Sequence, residues 1–151
     1  MRKDRRGIGA NVAILVLTLG GWQQSGAGDV KTIKSRDGSC QVSVPGDWSV
    51  GELGGMADSP DKKSGVAVSS PKMVDSFAQL KENARTVYKN SKVIKDSASE
   101  FVMEGQSITG QPDVYRAIPI GSGKFCITEV TYKTGDPDQA RKIAESLAAG
   151  R

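Results

Sequence analysis

The sequence predicts an α+β fold: an antiparallel β-sheet of about six to seven strands, with one helix in mid-chain and a second towards the C-terminal end packed on it. Three observations carry this expectation. Several segments alternate apolar and polar residues with a period of two, as half-buried strands do. Two other stretches repeat their apolar residues every three or four positions, the spacing of a helix with one buried face. The connections between them are short and rich in Gly, Pro, Asp and Ser, with no internal repeat and no low-complexity linker.

The first 27 residues stand apart from this pattern and read as a secretory signal peptide. Met1–Gly9 is basic, Ala10–Leu19 is apolar, and Gly20–Gly21 ends the run. Ser25–Gly26–Ala27 places small residues where a signal peptidase needs them, so cleavage is expected between Ala27 and Gly28. The apolar run is shorter than the roughly 20 residues that span a bilayer. An uncleaved anchor is the rival reading, because Trp22–Gln23–Gln24 makes an untidy approach to the cleavage site. Residues 28–151 then form a single globular domain in an exported chain, periplasmic or extracellular.

Val30–Ser35 reads as a first strand, and Asp37–Gly38 as the hairpin turn into Cys40–Val44. In that second strand Cys40, Val42 and Val44 alternate with Gln41 and Ser43. Pro45 has no N–H to continue the ladder, Gly46–Asp47 turns the chain, and Trp48 drops back over the sheet end. Ser49–Leu53 reads as a further short strand or an extended connection, Gly54–Gly55 and Asp58–Lys63 form a polar loop, and Gly65–Ser70 is a strand. A helix is expected over Ser76–Lys89, with Phe77, Leu80, Ala84, Val87 and Tyr88 on one face, Ser76 and Gln79 at capping-box spacing, and Asp75 as the competing cap. Asn90–Ser91 ends it. Lys92–Ala98, Glu100–Thr109, Asp113–Ile120 and Lys124–Lys133 have strand character, the last two joined by Gly121–Ser122–Gly123. Asp136 caps the final helix, Pro137 suits its first position, and Ala140, Ile143, Ala144, Leu147 and Ala148 form its apolar face.

At this point the chain resembles the PsbP-like family, including exported bacterial proteins of the DcrB type. The fold is shared by the extrinsic photosystem II subunit and a Ran-binding nuclear transport factor. The residues that carry the resemblance are Val42–Trp48 (Val-Ser-Val-Pro-Gly-Asp-Trp) and the helix start Ser76–Leu80 (Ser-Phe-Ala-Gln-Leu), together with the late meander and the C-terminal helix. The resemblance implies an α/β/α sandwich that acts as a non-catalytic accessory or binding module. It carries over no site, since the members that bind metal do so through His and this chain has none.

Composition narrows the chemistry further. The absence of His removes Ser-His-Asp and Cys-His mechanisms and His-ligated metals, and two Cys cannot complete a structural zinc site. No catalytic, cofactor-binding or metal-binding residue is therefore assigned. The net charge of +4 is local: Arg2, Lys3, Arg5 and Arg6 against Asp4 supply three of the four charges, so nucleic-acid binding is not indicated. Gly121–Lys124 lacks the first glycine and the Ser/Thr of a phosphate loop. Acidic pairs such as Glu100 and Glu104 are ordinary on exposed strand faces.

Two interaction surfaces and one covalent link are expected. Lys81, Arg85 and Lys89 recur at i, i+4 and form a basic stripe that suits an acidic partner or an anionic membrane surface; a solvated helix face is the commoner meaning of such a stripe. Trp48 offers a ring for stacking, against the ordinary alternative of a core Trp. Export favours a disulfide between Cys40 and Cys126 over two buried thiols, and the two sulfurs can meet if their strands neighbour each other in one sheet. The function expected is an exported, non-enzymatic, monomeric accessory domain for an unidentified protein or envelope partner. The alternative is an exported enzyme or small-molecule binder that works through carboxylates.

Overall fold

The computed structural model of the protein describes residues 28–133 and 136–151. The expected signal segment, residues 1–27, lies outside these. β1 (Val30–Lys34) and β2 (Cys40–Pro45) form a hairpin that pairs Ile33 with Val42. Its turn is held by Asp37, whose Oδ1 accepts from the hydroxyls of Ser35 and Ser39, both at 2.7 Å. These bonds hold the Asp37 carboxyl down at about 2. Gly38 takes φ 73°, where a side chain would be strained.

The remaining elements are β3 (Ser49–Val50), β4 (Met56–Asp58), β5 (Ser64–Ser69), α1 (Phe77–Val87), β6 (Lys89–Asp96), β7 (Phe101–Gln106), β8 (Pro112–Gly121), β9 (Lys124–Tyr132), α2 (Pro137–Glu145) and β10 (Ala148–Ala149). They build a seven-stranded antiparallel sheet in the order β3-β4-β5-β9-β8-β7-β6 and a three-stranded sheet in the order β1-β2-β10.

Strand alternation sends side chains to two cores. On one face of the large sheet, Val66, Val68, Val114, Cys126 and Val130 pack with Trp48, the small sheet and the α2 residues Ala140, Ile143 and Ala144. On the other, Phe101, Met103, Tyr115, Ala117 and Phe125 receive Leu80 and Ala84 of α1. The result is an α+β sandwich, with α1 on one side and α2 beside the small sheet on the other. Both helices start on the expected caps. Ser76 Oγ accepts from the Gln79 amide at 3.1 Å, and Asp136 Oδ1 accepts from the Asp138 amide at 2.8 Å.

Four features differ from the sequence expectation. The β1–β2 hairpin does not join the main sheet. Met56–Asp58, expected only as part of the connection around the polar loop, is a strand between β3 and β5. α1 stops at Val87, and Asn90 at φ 49° lies within β6 instead of ending a helix. α2 stops at Glu145: Ser146 Oγ accepts from the Ser43 amide at 2.8 Å, and Ala148 and Ala149 pair with β2 although they continue the helical apolar spacing. Tertiary pairing outweighs local propensity here.

Candidate functional site

The corner where β2 ends is where the molecule opens. Pro45, Gly46, Asp47 and Trp48 turn away from the small sheet, and Gly46 N–H donates to Asp29 O, tying the turn to the entry of β1. Opposite stands the 59–64 loop, held by Ser59 Oγ, which donates to Asp61 Oδ1 at 2.7 Å and accepts from the Ser64 amide at 3.0 Å. The start of α2 closes the third side. Between them runs a groove of about 1210 Å³. Its charged lining is Asp29, Asp47, Asp61 and Asp136 against Lys63 and Lys142, and the rest mixes serines and Gln139 with the apolar Val30, Val44, Pro45, Trp48, Pro60 and Ile143. Asp61 is held below its usual range by the Ser59 hydroxyl and the Lys63 amide. Such a groove suits a polar or basic segment of another molecule better than a compact substrate.

A second polar group sits on the α1 face of the large sheet. Cross-strand register places Asp113 opposite Thr131 and Tyr115 opposite Glu129. Asp113 is 1% exposed; its Oδ2 accepts from Thr131 Oγ1 at 3.2 Å, and its Oδ1 has no partner among the described residues. Burial first, and the nearby Glu129 carboxylate second, push Asp113 up to about 7. Burial also raises Glu129, while the Tyr88 hydroxyl opposes that rise. Tyr88 itself packs against Tyr115 with ring centroids 5.5 Å apart and planes tilted by 59°. Sequence reasoning missed this pair because 16 residues separate Asp113 from Glu129, and only the β8–β9 register brings them together.

The expected interaction residues fare differently. Trp48 is 2% exposed, so it is a core residue with no ring available for stacking, although its turn borders the groove. Lys81 and Arg85 do not form a bare cationic stripe, because both converge on Asp96 of β6. Lys81 Nζ also donates to Ser97 O at 2.6 Å and lies over the Phe77 ring. Lys89 is exposed at the start of β6. Cys40 and Cys126 are joined in a disulfide with Cα atoms 5.5 Å apart. Their strands are not neighbours in one sheet: β2 and β9 belong to different sheets, and the bond links the two layers. No group of three or more Cys, Asp or Glu among the described residues is placed to hold a metal ion.

No protein-family model matches the chain, and no curated protein matches its sequence. Solved structures do match, and the fold that the first of them shows is the PsbP-like α+β sandwich. The solution structure of cyanobacterial PsbP (CyanoP) from Synechocystis sp. PCC 6803 superposes with a TM-score of 0.56, covering 87% of this chain and 98% of that one at 11% identity. A crystal structure from Bacteroides thetaiotaomicron VPI-5482 has a TM-score of 0.45 and 17% identity, over 82% of this chain and 49% of that one.

Proposed function

We propose that the protein is an exported, non-enzymatic accessory or binding domain that engages a protein or envelope component through the groove beside Trp48. The observation that carries this reading is the groove itself: about 1210 Å³, bounded by the β2 corner, the 59–64 loop and α2, and lined by more carboxylates than lysines. A partner segment that is basic or neutral and polar complements it. The fold shared with CyanoP agrees with an accessory role, as an analogy of architecture. The inter-sheet disulfide supports export to the periplasm or beyond, since cytosolic thiols are kept reduced. It agrees with the proposed cleavage between Ala27 and Gly28, which leaves Gly28 at the groove rim.

The test is cross-linking in the native host with the tagged full-length chain. An envelope component recovered with the wild type and with Lys89→Ser, but lost with Asp47→Arg, supports the groove. Equal recovery by wild type and Asp47→Arg, or no specific component, overturns it. N-terminal sequencing of the host-made protein separately checks export, and an intact Met1 end in the cytosol would refute that part.

A further inference from the structure

The α1 face of the large sheet is not fully covered. Two rows of side chains cross it. One runs Gly105, Asp113, Thr131, Gly65, Asp58, and the next runs Met103, Tyr115, Glu129, Ala67, Met56. α1 and Tyr88 cover the β7–β8 end of these rows. On the β5 side, Ala67 projects only a methyl and Gly65 no side chain, with Asp58 Oδ1 lying near Gly65. A hollow of about 330 Å³ remains, with Glu129 and Thr131 in its wall and Lys62, Lys63 and Lys133 among its lining residues.

We propose that this hollow is a second binding site, for a small zwitterion, with the ligand's ammonium on Glu129 and its acidic group among the lysines. Glu129 faces a cavity large enough for an amino-acid-sized molecule, at the lower end of the size range of ligand pockets. Diagonal to it across the β8–β9 pair, and outside the lining of the hollow, Asp113 leans on Thr131 and leaves Oδ1 without a donor among the described residues. Two carboxyl groups so close and so little hydrated favour an arriving cation. Asp58 is partly satisfied by Lys62 at 3.5 Å, which leaves Lys63 and Lys133 the better partners for an anionic end. The groups facing the carboxyl pair are Tyr88 from the end of α1, Tyr115 from β8 and Thr131 from β9. None of them is a cation. The raised Asp113 and Glu129 agree with a carboxyl pair that the lysines of the hollow do not reach when it is empty. This site is separate from the groove beside Trp48, and each stands or falls without the other.

The experiment is amide NMR titration of the folded, disulfide-bonded protein with glycine, β-alanine and 4-aminobutyrate, and with methylammonium and acetate as single-charge probes. At least one zwitterion should shift the amides around Gly65, Ala67, Glu129 and Thr131 saturably at millimolar concentration. Glu129→Gln should weaken that binding by about tenfold or more. Ala67→Leu, which fills the hollow and leaves both carboxyl groups in place, should abolish it while the rest of the spectrum is unchanged. Absence of saturable shifts with every zwitterion, binding that survives both substitutions, or equally tight binding of methylammonium would each overturn the proposal.

Discussion

Arg116 Nε donates to Glu100 Oε1 at 2.7 Å, and both side chains are about 15% exposed. The same guanidinium donates through Nη1 to the carbonyls of Ala144, Glu145 and Leu147 at 3.0, 2.7 and 3.2 Å. The last carbonyls of a helix have no amide partners within it, so an arginine from β8 completes the end of α2. Arg116→Ala should cost about 2–4 kcal/mol, because it takes this donor from the Glu145 and Leu147 carbonyls, Ala144 O keeping the Leu147 amide, and leaves Glu100 with only Lys95. Arg116→Lys should recover less than half of the loss, since an ammonium cannot fork between the carboxylate and three carbonyls. Urea unfolding of the three proteins checks both values.

The disulfide closes a separation of 86 residues. Loop-closure entropy for that length corresponds to roughly 4–5 kcal/mol. The Cys40→Ala, Cys126→Ala double variant should therefore unfold at much lower denaturant, and reductant should move the wild type but not the variant. Thiol titration of unfolded, unreduced wild type should find no reactive thiol.

Asp113 gives the stability curve a slope opposite to that of most carboxylates. Its native pKa of about 7 exceeds the usual 3.8, so between those values the folded state binds more protons than the unfolded one. The contribution is fully present below about pH 4 and is lost as the pH rises through 7, by up to about 4 kcal/mol. Asp113→Asn should match the wild type near pH 4 and exceed it in stability at pH 8. Glu100, Glu104 and Asp96, all held below their usual range by basic partners, act in the other direction, losing stability as the medium turns acid. They cancel when the two proteins' unfolding midpoints are subtracted at each pH.

Lys81 and Arg85 should prove structural. Lys81 is 14% exposed and joins α1 to Asp96 and Ser97. Changing Lys81 and Arg85 together to Ser should cost about 1–2 kcal/mol, whereas Lys89→Ser should be neutral within about 0.5 kcal/mol. Thermal unfolding separates the two. A salt-sensitive attachment of the wild type to anionic vesicles that Lys89→Ser alone removes would point instead to a membrane role for this end of α1.

The parts of this fold that were legible in the sequence are those with local causes. The alternation of Cys40, Val42 and Val44, the cap at Ser76, the Asp136–Pro137 start and the Gly121–Ser122–Gly123 turn each act within a few residues. What was hidden depends on distant partners. Met56–Asp58 is a strand because β3 and β5 flank it. Ala148 and Ala149 leave the helix because β2 is there to receive them. Cys40 and Cys126 were legible as a pair, but not as a link between layers. Both candidate sites arise between elements: the groove needs β2, the 59–64 loop and α2 together, and the hollow needs two small residues on β5 beside an acid on β9.

The small sheet unites β1 and β2 with β10, so one of its edges is supplied more than a hundred residues later than the other. Gly150 marks how closely the last piece fits: its amide donates to Ser39 O at 2.7 Å, and a Cβ there would overlap the Gly38 carbonyl. A chain made from its N-terminus can form the β1–β2 hairpin early, but it must hold the open flank of β2 unpaired until Ala148 has left the ribosome. Translation order therefore makes the first hairpin formed among the last to be finished, and loss of those few late residues would strand it.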